Sequence, residues 1–239
     1  MLGDTPYSEA EAERLDQAID EMNARPLDFV VHVGDIGNAR LACTDAWLRA
    51  RKAQFARIRH PFILVPGDNE WVDCRQPLER LKAWRSLFCF REKGLALQRQ
   101  PGEYCEHLRW EAGGFVFVTL NVQGSNNDVR RPEEYAPRMN AVFAWLDAAA
   151  ALAANRRGLV VLMQADPFIV LPRDGFAELR ERLAQLGREM PGRVVLVHGD
   201  THLYRDDEPI PGVHRIAVWG APLTRWLETD ITAEGLSVR

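Results

Sequence analysis

The sequence predicts an α/β fold built around a mainly parallel sheet, and three observations carry that expectation. Four apolar runs, at 29–33, 62–65, 159–163 and 194–197, hardly alternate, as strands buried on both faces do. Between them lie stretches whose apolar residues recur at helical spacing, the rhythm of strand–helix–strand units. Three of these runs also end in Gly-Asp steps (Gly34-Asp35, Gly67-Asp68 and Gly199-Asp200), and Gly3-Asp4 supplies the same loop with almost no strand before it. Polar groups delivered at strand C-termini are where open α/β sheets place their sites.

The totals fit that class. At 239 residues the chain can bury a sizeable core, and 46% hydrophobic with 27% charged residues is a globular composition. A net charge of −4 gives no footprint for nucleic acid or an acidic membrane. No apolar run approaches the roughly 20 residues of a membrane span. No secretory leader is recognisable, although Met1-Leu2-Gly3-Asp4 reads as though a first strand had been clipped. A cytoplasmic and an exported protein are both consistent with these features. Cys43 follows the Asp35 loop and Cys74 the Asp68 loop, so both fall at one sheet edge, as a disulfide or as two buried thiols.

In chain order, the first helix is expected over 8–25, where Ser8 and Glu11 form a capping box and Leu15, Ile19 and Met22 an apolar stripe. Pro26 ends it, and a strand follows at 29–33. Helices are expected over 44–58 and 77–88, with a strand at 62–65 between them. Gly113-Gly114 separates two β-rich stretches, 104–111 and 115–121, as an antiparallel hairpin. Residues 123–137 read as a long polar loop, 139–155 as an Ala-rich helix and 174–187 as a further helix. Closing strands are expected at 214–219 and 226–232. No repeat or linker interrupts the chain, so residues 1–239 are read as one domain.

The ordered motifs Asp4-Thr5-Pro6, Gly34-Asp35-Ile36-Gly37-Asn38, Gly67-Asp68-Asn69-Glu70, Gln164 and Gly199-Asp200-Thr201-His202 resemble the five metal-binding loops of the calcineurin-like metallophosphoesterase superfamily. The chain looks most similar to a bacterial branch with Gly-Asp-Thr-Pro-Tyr, Pro-Gly-Asp-Asn-Glu-Trp and His-Gly-Asp-Thr-His loops. The resemblance implies a sandwich of two mixed β-sheets flanked by helices, and one or two divalent cations. Mapped onto this chain, a first cation would take Asp4, Asp35 and His202, and a second Asp35, Asp68, Asp200 and Gln164, with Asp166 competing for the last place. Pro6, Asp68, Asn69, Gln164 and Asp200 depart from the family pattern. The second set is all oxygen, which suits Mg²⁺, Mn²⁺ or Ca²⁺ better than zinc or iron, with Mn²⁺ or Mg²⁺ favoured.

A physical argument points the same way. Four carboxylates converging in one cleft must either take up protons or hold a cation between them. The function expected is hydrolysis of a phosphate ester by attack of a metal-bound water, on a substrate whose class the sequence leaves open. Asn69 stands where the family has its proton donor, so Glu70 or His198 would take that role, while Asn38, Asn127 and Arg205 could meet a phosphate. His32, His60, His107 and His214 are read as structural. The alternatives are a weakened or inactive relative that binds a cation or phosphorylated ligand, and a scaffold whose aspartates only shape turns. No Gly-x-Ser-x-Gly elbow, P-loop or dinucleotide-binding glycine pattern is present.

Overall fold

The computed structural model describes residues 1–89, 94–232 and 235–239. The elements are α1 (Glu9–Asn23), β1 (Val30–His32), α2 (Ala39–Ala42), α3 (Asp45–Phe55), β2 (Phe62–Leu64) and α4 (Pro77–Phe88). They continue with β3 (Gln98–Arg99), β4 (Leu108–Ala112), β5 (Phe115–Thr119), α5 (Gly124–Asn127), α6 (Pro132–Ala153) and β6 (Gly158–Leu162). The chain closes with α7 (Ala177–Glu189), β7 (Val194–His198), β8 (Arg205–Ile210), β9 (Val213–Ala217), β10 (Thr229–Thr232) and β11 (Gly235–Val238).

Seven strands form one mixed sheet in the order β3-β4-β5-β6-β7-β9-β8, parallel from β5 through β6 and β7 to β9. β1 and β2 pair in parallel as a second sheet, with Leu2 bridged to His32 beside it. The short N-terminal segment is thus strand-like for one residue only. β10 and β11 form a separate antiparallel pair.

Alternation along the central strands explains the layering. Val116, Val118, Leu159, Val161, Val194 and Leu196 point to one side and pack with α6 and α7 through Val142, Leu146, Leu179 and Leu183. Phe115, Phe117, Val160, Leu162, Val195 and Val197 point to the other side and meet Val31, Val33 and Ile63 of the small sheet. The outer face of the small sheet, Val30, Phe62 and Leu64, is covered by Leu15, Ile19, Leu48 and Trp84 from α1, α3 and α4. Both faces of the central strands are therefore dry, which is why their sequences are continuously apolar.

Local chemistry sets the boundaries. Ser8 caps α1 by accepting from the Glu11 amide, and the Glu11 carboxylate returns to the Tyr7 amide at 2.8 Å. Thr44 caps α3. Gly113 and Gly114, with φ of +55° and +83°, make the two-residue turn between β4 and β5. The expected loop over 123–137 needs correction: it holds the α5 turn, and α6 starts at Pro132, which suits a first helical position because its missing N–H needs no partner there. β3, β8 and β11 escape the sequence patterns; β8 (Arg-Asp-Asp-Glu-Pro-Ile) is a largely exposed edge strand with no apolar alternation.

Two disulfides are present. Cys43–Cys74 joins the end of α2 to the loop after β2, and Cys89–Cys105, which the sequence reading did not foresee, joins the end of α4 to the segment before β4. The 31-residue span closed by Cys43–Cys74 contributes through loss of unfolded-chain entropy. Replacing both residues by Ser is expected to lower the unfolding free energy by about 2–4 kcal/mol in urea titrations. A change below about 0.5 kcal/mol would mean that the link constrains little.

Candidate metal centre

Two parallel pairs, β1–β2 in the small sheet and β6–β7 in the large one, bring the polar loops to one edge. β1 delivers Asp35, β2 delivers Asp68, β6 leads to Gln164 and β7 to Asp200, while Asp4 lies beside them on the segment bridged to β1. Glycine makes the convergence sterically feasible. A Cβ on Gly67 would lie 2.0 Å from Asp35 Oδ1, and one on Gly199 would lie 2.2 Å from Asp4 Oδ2. A Cβ on Gly124 would lie 2.6 Å from Asp200 Oδ1 and 2.8 Å from both Asp68 oxygens. Each carboxylate thus rests against a bare backbone.

The backbone itself is unusual here. Asp4, Asp35, Asp200 and His202 all have positive φ, as do Ser125, Asn126, Asn127 and Asp128 in succession. Left-handed residues normally occur singly, so the α5 turn is a costly conformation that must be imposed by its surroundings. Asn126 Nδ2 donates to Arg173 O at 2.8 Å, its Oδ1 accepts from the Gly175 amide, and Asn127 Nδ2 donates to Gly175 O. The fully buried Arg138 donates to Asn121 O, Asn127 Oδ1 and Asn127 O, with Glu134 balancing its charge. The result places Ser125 Oγ 2.8 Å from Asp68 Oδ2 and 2.5 Å from Asp73 Oδ1.

The site residues named from the sequence divide into those that meet in the cleft and those that hold it together. Asp4 accepts the Asp200 amide on both oxygens, at 2.9 and 3.0 Å. Asp35 accepts Asn69 N on Oδ1, and both Tyr7 Oη and Asn69 Nδ2 on Oδ2. Asp68 Oδ1 is buried with no hydrogen-bond partner. His202 Nε2 lies 3.8 Å from Asp4 Oδ1.

The remaining contacts redirect several expectations. Gln164 turns its Oε1 to the Gly124 amide at 2.5 Å and its Nε2 toward Asp200, so it positions that carboxylate from behind. Glu70 is fully buried and accepts the Ile36 and Gly67 amides, clamping the two aspartate loops together. His198 donates Nδ1–H to Gly199 O, because a carbonyl can only accept, and faces Asp166 at 3.9 Å from Nε2. Asn38 caps α2 and donates to Tyr7 O, while Asn127 is buried against Arg138 and Gly175. Arg205 opens β8 as an exposed residue, and its neighbour Asp207 pairs with Arg215.

Burial and mutual repulsion govern the electrostatics. Asp4 and Asp35 are held well above the usual carboxylate range, first by burial and then by neighbouring carboxylates. Asp68 is pushed up to about 7 by burial, with Asp200 and Asp73 adding to it, and Glu70 to about 7 chiefly by burial. Asp200 is raised by the same cause. Burial lowers His32 and His107 to about 4.

Whether the donors fit a cation depends on the side of the cleft. On the Asp68–Asp200 side they do: the ligands are hard oxygens, one is a buried carboxylate oxygen without a partner, and Gly124 leaves their approach open. On the Asp4–His202 side they do not. Tyr7 Oη stands 2.7 Å from Asp35 Oδ2 and 3.3 Å from His202 Nε2, and accepts Asn69 Nδ2 at 2.9 Å. Among the described residues, three potential ligand atoms lie within 4.8 Å of one another only at Cys89, Cys105 and Glu106, where the two sulfurs are bonded to each other and cannot ligate. Tyr7, Ser125 and Arg138 were not singled out from the sequence; Tyr7 stood in view only as the last residue of the first loop.

The raised carboxylates predict a pH dependence for chelator-treated protein. A group whose folded pKa exceeds its unfolded value of about 4 stabilises fully below that value and loses its contribution as pH rises through the folded pKa. His32, His107 and His198 act oppositely below their unfolded value of about 6.5, and the single buried Met1 amine, lowered to about 5, does so up to about 8 against the five raised carboxyls of Asp4, Asp35, Asp68, Glu70 and Asp200. Between pH 6.5 and 8 the carboxylates therefore dominate, and Tm is expected to fall; Asp68→Asn should lessen the fall. A flat Tm across that interval in both proteins would exclude this electrostatic account.

No family model matches the sequence, and no curated protein matches it by sequence. Solved structures do match. A dimetal phosphatase from Danio rerio aligns with a TM-score of 0.61 at 15% identity, covering 92% of this chain and 86% of the other. GAP50, described as the anchor in the inner membrane complex of Plasmodium, aligns at 0.56 with 12% identity, covering 91% and 70%. PhoD aligns at 0.51 with 16% identity, covering 92% of this chain and 55% of PhoD. The α/β layers and flanking helices are those of the metallophosphoesterase fold that these structures share.

Proposed function

We propose that this protein is a divalent-cation-dependent phosphoric ester hydrolase with an oxygen-rich centre, filled by Mg²⁺ or Mn²⁺. One observation carries the reading: buried Asp4, Asp35 and Asp68 meet half-buried Asp200 at strand ends, and Asp68 Oδ1 has no partner. Burying carboxylates that repel one another is costly unless protons or a cation compensate. Asp68 and Asp200 would hold the cation, with Asp35 beside them. When bound, it would supply Lewis-acid polarisation of a phosphoryl oxygen and acidify a coordinated water.

The chain's own groups orient this centre. Gln164 Nε2 faces Asp200 Oδ1 at 3.4 Å, and the Asp166 amide faces Asp200 Oδ2 at 3.3 Å. Ser125 Oγ meets Asp68 at the exposed mouth, a place where a phosphate oxygen could be received. Asn69 cannot act as a proton donor near neutral pH, and its amide is spent on Asp35 and Tyr7. Glu70 is committed to two backbone amides and His198 faces Asp166, so neither is aimed at a leaving group. Loss of general acid catalysis costs roughly 10²–10⁴-fold, so the reading favours esters with good leaving groups.

A second reading, a cation- or phosphate-binding protein without turnover, is favoured by the same Asn69 geometry, and one structural neighbour is described as an anchor. The two disulfides support an oxidising compartment for either. None of the described helices is long and apolar enough to cross a membrane.

Turnover of bis-p-nitrophenyl phosphate separates the readings. The hydrolase should show Mn²⁺-dependent release of nitrophenol, falling steeply as the leaving group becomes more basic. Asp68→Asn should reduce it by roughly 10²-fold or more. Stoichiometric Mn²⁺ without turnover on any activated ester would select the binding protein.

A further inference from the structure

The cleft has two sides, and a side chain already sits in one of them. Tyr7 Oη is surrounded by Asp35 Oδ2 at 2.7 Å, Asn69 Nδ2 at 2.9 Å and His202 Nε2 at 3.3 Å. These groups come from three different loops, and Asp4 Oδ1 adds a fourth, 3.8 Å from the same imidazole nitrogen. His202 Nδ1 is 2.9 Å from Ala221 O, which can only accept, so Nδ1 carries a hydrogen and Nε2 is the ring nitrogen that faces the phenol. Carboxylate oxygens and an imidazole nitrogen directed at one point are the ligand types of a cation position. Here the point is filled by a neutral oxygen.

Tyr7 is also held there. Its amide donates to Glu11 Oε2 at 2.8 Å, fixing it to the start of α1, and its carbonyl accepts Asn38 Nδ2 at 2.7 Å from the start of α2. The ring packs edge-on against the His202 imidazole, with centroids 5.0 Å apart at 82°. The phenol hydroxyl donates to Asp35 Oδ2. One hydroxyl therefore satisfies a carboxylate and an amide that would otherwise face an opening.

We propose that the Tyr7 hydroxyl is a built-in occupant of the position between Asp4, Asp35 and His202, so that the protein takes a single divalent cation, on its Asp68–Asp200 side. Removing the Tyr7 side chain opens the second position. The expected single ion rests on the cation dependence proposed above; the closed His202 side stands independently of it. A one-cation centre would differ from that of the dimetal phosphatase of the same fold.

The test is Mn²⁺ stoichiometry by equilibrium dialysis on the full chain, with circular dichroism to confirm folding. Wild type is expected to bind one Mn²⁺ and His202→Ala also one. Tyr7→Ala should bind two, and Tyr7→Ala with His202→Ala should return to one. Two ions in wild type, one of them lost in His202→Ala, would overturn the proposal, as would a Tyr7→Ala protein that gains none. No ion in wild type but one His202-dependent ion in Tyr7→Ala would uphold the plug and instead remove the cation-dependent hydrolase. Should Tyr7→Ala not fold, wild type and His202→Ala decide by themselves: equal Mn²⁺, one ion each, supports the proposal, and a His202-dependent ion refutes it.

Discussion

Like charge buried at the ends of parallel strands is the constraint on which the rest of this structure depends. Asp4, Asp35 and Asp68 are buried in one cleft, with half-buried Asp200 beside them, where water screens their charges poorly. Most of the surrounding chemistry answers that repulsion. Backbone amides of Asn69 and Asp200 donate to the carboxylates, and glycines at 67, 124 and 199 leave room for their oxygens. Left-handed backbone at Asp4, Asp35 and Asp200 turns the side chains inward. Asp68 alone retains an unmatched oxygen, which is where the cation reading begins.

Rigidity around the cleft comes from ties between loops as well as from the sheets. Glu70 links the β1 and β2 loops through two buried backbone amides, and the Cys43–Cys74 disulfide joins the same two regions farther out. Arg138 holds the left-handed turn that carries Ser125, and Gln164 joins the turn to Asp200. Removing one such tie exposes a buried polar group as well as losing a contact, so each matters more than its count suggests. Tyr7 belongs to this network, and its hydroxyl makes the cleft asymmetric: one side satisfied internally, the other still short of a partner.

The sequence by itself determined the buried strands, where they end and the Gly-Asp steps that carry the aspartates. The runs at 29–33, 62–65, 159–163 and 194–197 admit few arrangements other than parallel strands dry on both faces, and each Gly-Asp step marks where one stops. The Ser8 cap and the Gly113-Gly114 turn were legible for the same reason, since a few neighbouring residues suffice to specify them. Tertiary structure alone decided what each polar group faces. Asn127 looked like a phosphate ligand and is locked on Arg138; Glu70 looked like an acid and is a clamp. Tyr7 drew no notice and sits between Asp35 and His202. Its partners lie 28, 62 and 195 residues away along the chain, and such meetings are set by how sheets and loops pack, which no local pattern records.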